Sequence, residues 1–426
     1  MAVQQSQPAT SANGSALPAV ETRRAHFGFW AAAFALLIVM ASATLPSPLY
    51  GLYRIRDHLS TLTVTVVYAI FAGGTIAALL SVRFIVARAG RRGTMLGAVA
   101  TMMAAAALLA AWKALPGLLI GRLLTGVAVG LAAGTAITYL IELRARANPN
   151  GSPIRAQTIG TAVTVGALGT GPLIAGCLAQ WVKHPLTLPY LLFVALGAIA
   201  LIALAAAPET GNPAPPASAA SQASGPSRSG RLLVPGAAAT LAAFAANGLF
   251  AGLSGLFLAT TLHHPSHALS GATLFLVFSS GVAAQLATNG LSASRVLALG
   301  TVSMLIGLAL LVAAVHLSTP SLALFLLSGA LIGAGAGAVF KGTTGLVLGA
   351  TAPENRLAAT SDLLIALYVG LSIPVIGAGV ALDRGASAPA TVLGFAIVVG
   401  AGVAGAGAFL GHGLKSAARP RNPIQT

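Results

Sequence analysis

The stretch LPYLLFVALGAIALIALAAA, residues 188–207, runs for twenty positions without one charged side chain. A helix rises 1.5 Å per residue, so twenty residues cover about 30 Å, the thickness of a bilayer's hydrocarbon core. In lipid no water satisfies a bare backbone amide, so an unbroken apolar stretch of this length must be a helix. Eleven further stretches read the same way, at about 27–50, 62–83, 94–112, 117–141, 157–182, 235–260, 270–290, 296–316, 321–349, 357–381 and 388–411. The segment from 296 to 349 is too long for one crossing. A connection is therefore expected near His316 to Pro320. The reading is an all-α membrane protein of twelve transmembrane helices.

Composition agrees. Of the 426 residues, 56% are hydrophobic and 7% are charged. A soluble protein carries about 25% charged residues. Fifty glycines are present, and glycine suits close helix packing in a membrane. In a soluble chain the net charge of +16 would point to nucleic acid; here it reads as topology, and no nucleic-acid partner is expected. With both termini inside, sixteen Lys and Arg fall on the cytoplasmic side and five outside, leaving Arg122 and Lys341 within spans. That asymmetry obeys the positive-inside rule. The single cysteine, Cys177, excludes an internal disulfide and reads as a small packing residue. The first apolar run is too long for a signal peptide.

The expected organisation is a disordered cytoplasmic tail over 1–26, a six-helix bundle over 27–207, a flexible cytoplasmic linker over 208–234, a second six-helix bundle over 235–411, and a tail over 412–426. Residues 211–230, GNPAPPASAASQASGPSRSG, cannot build a core. Six spans plus six suggest two pseudo-symmetric bundles with a path near the midplane between them.

Four motifs carry more detail. The connection between spans 2 and 3 ends Arg88-Ala89-Gly90-Arg91-Arg92. Span 4 carries Arg122 with Gly126 and Gly130, spaced to share one helix face. A charge in hydrocarbon is expensive, so Arg122 must face protein or a wet cavity unless it snorkels to the nearby interface. Span 5 holds Gly171-Pro172 and Gly176, and Pro172 removes one helical hydrogen bond. Spans 1 and 6 end in Pro46-Ser47-Pro48 and Pro208-Glu209-Thr210.

Together these motifs resemble those of the major facilitator superfamily, drug:proton antiporter-like branch. The loop resembles G-x-x-x-D-R-x-G-R-R, with Arg83 in place of the first Gly and Ala87 in place of Asp. The resemblance implies two bundles that rock about a central site, a gating role for Arg88, Gly90, Arg91 and Arg92, and an Arg122 tied to proton coupling. The Ala87 position puts the family's usual inner latch in doubt. Glu142 is expected to pair with Arg88 or Arg91 and to serve as the remaining latch.

Of seven acids only Asp362 falls inside a span. Lys341 on span 10 lies at nearly the same depth, so a Lys341–Asp362 ion pair is expected. It reads in three ways: a static pair fixing helix register, a proton site, or a substrate contact. Tyr50, Tyr68, Tyr139, Asn247, Gln285 and Tyr368 are the candidate cavity residues, since cavities combine apolar walls with a few polar groups. Gly329, Gly333 and Gly337 form a packing stripe. Asp57, with Arg54 and Arg56, reads as a solvated outer loop.

No ATP-binding loop, nucleophile–base set or metal spacing appears, so an enzyme, a cofactor and a metal are not expected. The expected function is export of a small apolar or weakly cationic molecule by proton antiport. The alternative is an uncoupled facilitator or importer of a small metabolite. The expected partners are the lipid bilayer, the substrate and protons, with the protein a monomer in a bacterial inner membrane.

Overall fold

A computed structural model describes residues 19–149, 151–210, 228–352 and 355–417. Most of the tail and linker segments, 1–18, 211–227 and 418–426, lie outside the described residues, and Glu354 lies there too. The described chain is helical throughout: α1 (Ala19–Thr44), α2 (Tyr50–Asp57), α3 (Thr61–Ala111), α4 (Leu115–Ala147), α5 (Pro153–Trp181), α6 (Leu188–Ala205), α7 (Arg228–Thr260), α8 (His267–Ala287), α9 (Ala293–His316), α10 (Leu322–Ala350), α11 (Arg356–Asp383) and α12 (Ala388–Ala417).

Eleven helical stretches among the described residues are long and apolar enough to cross a membrane. One of them, α3, has 51 residues, enough helix for two bilayer crossings. It breaks at Gly90, where φ is 73° and ψ is 178°. Only glycine occupies that region at low cost. The arms on either side correspond to the second and third expected spans. Another stretch, Val20–Asp57, is interrupted near Pro46 and Pro48, and a 3₁₀ turn, Ser47–Leu49, joins α1 to α2. The two prolines withhold two amide donors, so the helix cannot run on through them.

Several boundaries differ from expectation. α1 reaches back to Ala19 inside the expected tail. Arg54 to Asp57 belong to α2 rather than to a loop, and Arg56 pairs with Asp57 at 3.5 Å. Two pieces of the expected linker are structured: Pro208 to Thr210 are anchored to the first half, and Arg228 to Val234 are helical. His412 to Ala417 continue α12.

Two halves emerge, α1–α6 and α7–α12. α1 and α7 are the most enclosed helices, each 83% buried over its apolar window, and α12 is the least, at 22%. The outer helices show large apolar side chains such as Leu80, Ile202 and Val398 to the surroundings, as lipid-facing residues must. Within each half small residues let backbones meet. Gly126 and Gly130 lie on carbonyls of Phe71 and Thr75, which seats α4 against the first arm of α3. Gly333 and Gly337 lie on carbonyls of Val277 and Gly281, which seats α10 against α8, while Gly329 packs on Phe250 and Val277.

Candidate functional site between the two halves

The halves touch chiefly along two helix pairs, α5 with α8 and α3 with α11. The α5–α8 pair opens progressively along its length. At one end a Cβ on Gly176 would strike the His267 carbonyl, and one on Gly271 would strike the Pro172 carbonyl. Further along, a Cβ on Gly169 would stand 3.0 Å from Phe275, and one on Gly166 would stand 3.9 Å from Val282. Beyond Val282 the helices part around a cavity of about 310 Å³. The Gly171-Pro172 motif thus sits where α5 faces two ways: Gly171 meets the Ala41 carbonyl of α1, and Pro172 meets α8. α5 is continuous through Pro172.

The closed end carries two matching polar clamps. Asp383, the last residue of α11, accepts from the Thr61 amide at the start of α3, at 3.0 Å. Gln180, one residue from the end of α5, accepts from the His267 amide at the start of α8, at 2.9 Å, and from the Ser266 hydroxyl at 3.2 Å. In each half a serine caps the same helix, Ser60 accepting from the Thr63 amide and Ser266 from the Leu269 amide, the usual N-cap bond. Each clamp satisfies an orphan amide of one half's helix with a side chain from the other half. His267 adds a contact to the Pro48 carbonyl at 3.2 Å.

Next inward comes an aromatic layer. Tyr50 meets Tyr68 edge-on at 6.4 Å, Tyr68 meets Phe71 at 6.1 Å, and Phe71 meets Tyr368 of the other half at 5.9 Å. Tyr68 also packs on Gly252 of α7. The Tyr50 hydroxyl and the Asn247 side-chain oxygen Oδ1 are buried without a partner among the described residues, which suits groups that bind water or a passing solute. Five of the six expected cavity residues, all but Gln285, are enclosed, and three of them, Tyr50, Tyr68 and Tyr368, join in this layer.

Arg122 does not snorkel. It is 1% exposed and donates to the Ala43 carbonyl at 2.6 Å and the Tyr68 carbonyl at 3.3 Å. Its guanidinium lies 4.8 Å over the Phe71 ring, a cation–π arrangement. Ala43 is in the last turn of α1, where carbonyls lack helical donors and Pro46 and Pro48 supply none. Arg122 thus closes the broken end of α1 onto α3.

The cavity at the open end is bounded by α5, α8 and α10. Gln157, Thr161, Gln285, Asn289, Lys341 and Thr344 supply its polar wall. Lys341 does not pair with Asp362. Its ammonium donates to the Gln285 carbonyl, to Asn289 Oδ1 at 2.7 Å and to Thr288 Oγ1 at 3.3 Å. It thereby caps the C-terminal end of α8, where a cation is favoured. The expected pair fails because neighbours in sequence are not neighbours in packing: α10 packs on α9 and α8, and α11 on α7 and α3. Asp362 is exposed and makes no ion pair among the described residues.

The Gly90 break forms a second polar centre, inside the first half. Glu209 accepts from the amides of Arg91 and Arg92, both at 3.1 Å, at the start of the second α3 arm. A Cβ at Gly90 would stand 2.7 Å from Glu209 Oε2. Glu142 pairs with Arg91 at 2.7 Å, as expected, and accepts from the Thr210 hydroxyl at 2.6 Å. Arg92 and Arg146 donate to carbonyls of Ala207, Glu209 and Thr210. Arg88 stacks on Phe84. These bonds tie α3, α4 and the end of α6 together. Arg91 and Glu142 both belong to the first half, so the bond between them joins α3 to α4. Tyr139 belongs to this network, donating to the Pro208 carbonyl at 2.8 Å, and is not a cavity residue. Sequence reasoning missed Asp383, Gln180 and Glu209 as binding partners, although the capping serines at the first two sites, Ser60 and Ser266, were readable.

A family model described as "Sugar (and other) transporter" matches residues 9–210. No curated protein matches. Among solved structures, that of a point variant of the nucleoside transporter NupG matches with a TM-score of 0.68 and 11% sequence identity, covering 91% of this chain and 99% of that one. Identity so low speaks for the fold alone. The fold is the all-helical major facilitator fold, and the chain is an integral, multi-pass membrane protein.

Proposed function

We propose that this chain is a secondary transporter that carries a small polar molecule through the membrane by alternating access, with its basic end at the cytoplasm. The observation that carries this reading is the opening of α5 from α8, sealed at Gly176–His267 and parted around a cavity beyond Val282. A helix pair sealed at one end and parted at the other can present a path between the halves to one side at a time. The family description names sugars and the structural neighbour is a nucleoside transporter, which supports a hydrophilic cargo over a lipophilic cation. The described conformation serves uptake and export equally. Proton antiport enters this reading through Asp362, now as a lone carboxylate rather than as half of an ion pair.

Reconstituted proteoliposomes test it. Radiolabelled sugars, nucleosides, organic acids and lipophilic cations are offered with and without a pH gradient. Thr161→Cys, in a Cys177→Ala background, is labelled in parallel with an impermeant maleimide. Saturable movement of one polar compound, with substrate-dependent labelling of position 161, is expected. No movement of any compound, with labelling indifferent to all of them, rules the reading out. Loss of gradient dependence in Asp362→Asn identifies the coupling acid, and gradient-independent movement in the wild type removes protons from the scheme.

A further inference from the structure

The cavity at the open end has an electrostatic character that the motifs did not suggest. Among the described residues Lys341 is the only charged side chain in its wall, and no carboxylate lines it. The three oxygens that hold the Lys341 ammonium are a carbonyl, a hydroxyl and an amide, all neutral. The positive charge is therefore solvated by the protein but not cancelled by an acid. Lys341 stands nine residues before the end of α10. That is two and a half helical turns into α10, and the side chain reaches to the end of α8, where its ammonium meets Asn289.

The unpartnered groups beside it can both donate. The Gln285 side-chain nitrogen is buried without a partner among the described residues, as is the Thr344 hydroxyl. A buried donor that finds no acceptor within the protein calls for one from outside. One of the ammonium's three acceptors is also replaceable, because Asn289 is an exposed residue on the turn after α8. A ligand oxygen can take its place without uncapping the helix, since the Gln285 carbonyl stays bonded.

We propose that this cavity binds the anionic group of a small organic oxyanion, a carboxylate or phosphate monoester, with Lys341 as counter-charge and the Gln285 amide and Thr344 hydroxyl as further donors. The cavity, about 310 Å³, lies at the small end of ligand sites and suits a molecule of sugar-acid size. The basic residues around the same end add a long-range field that draws anions inward. This deepens the transport reading and rests on it for its context, but binding is measured without transport.

The probes are matched pairs, gluconate with glucose, nicotinate with nicotinamide, and glucose 6-phosphate with glucose, added to purified full-length protein in nanodiscs. Thermal shift and equilibrium binding are followed at low and high chloride. At least one anion is expected to bind and stabilise, with binding weakened by salt, while its neutral partner does not. Lys341→Gln, which keeps a donor for the α8 carbonyl, should weaken the anion tenfold or more and leave the ligand-free melting temperature within a few degrees. Lys341→Arg should retain most of the affinity. Equal binding of neutral partners, no binding by any anion, or full affinity in Lys341→Gln overturns the proposal. If Lys341→Gln does not fold, the wild-type comparison of each pair decides by itself. Anion binding without movement in proteoliposomes would count against transport alone; movement of a neutral solute without anion binding would count against this site alone.

Discussion

Gly90 shows how much one residue can fix. Its φ of 73° with ψ of 178° lets the chain reverse between two long helical arms, and the absent Cβ leaves room for the Glu209 carboxylate. Gly90→Ala is expected to cost about 1–3 kcal/mol in backbone strain alone. The measurement is the melting temperature in detergent, and an unshifted melt means the turn tolerates a side chain. Arg122 reads differently after folding. In sequence it is a costly charge within a span; in the structure it holds the broken end of α1 and stacks on Phe71. A hydrogen bond to a charged group contributes about 1.5–3 kcal/mol, so Arg122→Gln should lower stability by that order. A variant as stable as wild type that moves no substrate would instead place Arg122 in the transport cycle itself.

Between helices, the two clamps at the closed end are related by the repeat. The end of α5 caps the start of α8, and the end of α11 caps the start of α3. One cap is a carboxylate, which also complements the positive N-terminal end of the α3 dipole; the other is a neutral amide. Opening that end must break both. Asp383→Ala combined with Gln180→Ala is expected to shift the population toward a conformation open there. Distances between spin labels on the ends of α5 and α8 would report it, and an unchanged distribution would show that apolar packing alone holds the seal. The serine caps were legible in sequence, because Ser followed by an apolar run is a local signal. Their carboxylate and amide partners were not, because they lie 322 and 87 residues away.

For the molecule as a unit, closure of the α5–α8 groove is the motion that transport requires. Gly166 and Val282 stand at the point where the pair begins to part. Cysteines at both positions, with Cys177→Ala, should be joined by a short bifunctional reagent. Uptake should then stop, and return if the reagent is cleavable and is cleaved. Full uptake by the cross-linked protein would mean that the halves need not move at this point.

Local composition was enough for the solvent, the helical class and nearly every helix, because a twenty-residue apolar run has one stable form in lipid whatever its neighbours are. It was also enough to mark the glycines of close packing and to narrow the partner of Glu142 to Arg88 or Arg91, since all three lie at the same membrane end; the structure chose Arg91. Which helices touch emerged only in three dimensions. Packing moved Lys341 from Asp362 to the end of α8, Tyr139 from the cavity to the Gly90 network, and Glu209 from a span terminus to the loop it caps. Partnership between helices depends on which face each presents across the bundle. Nearly uniform apolar segments carry little record of that in their order.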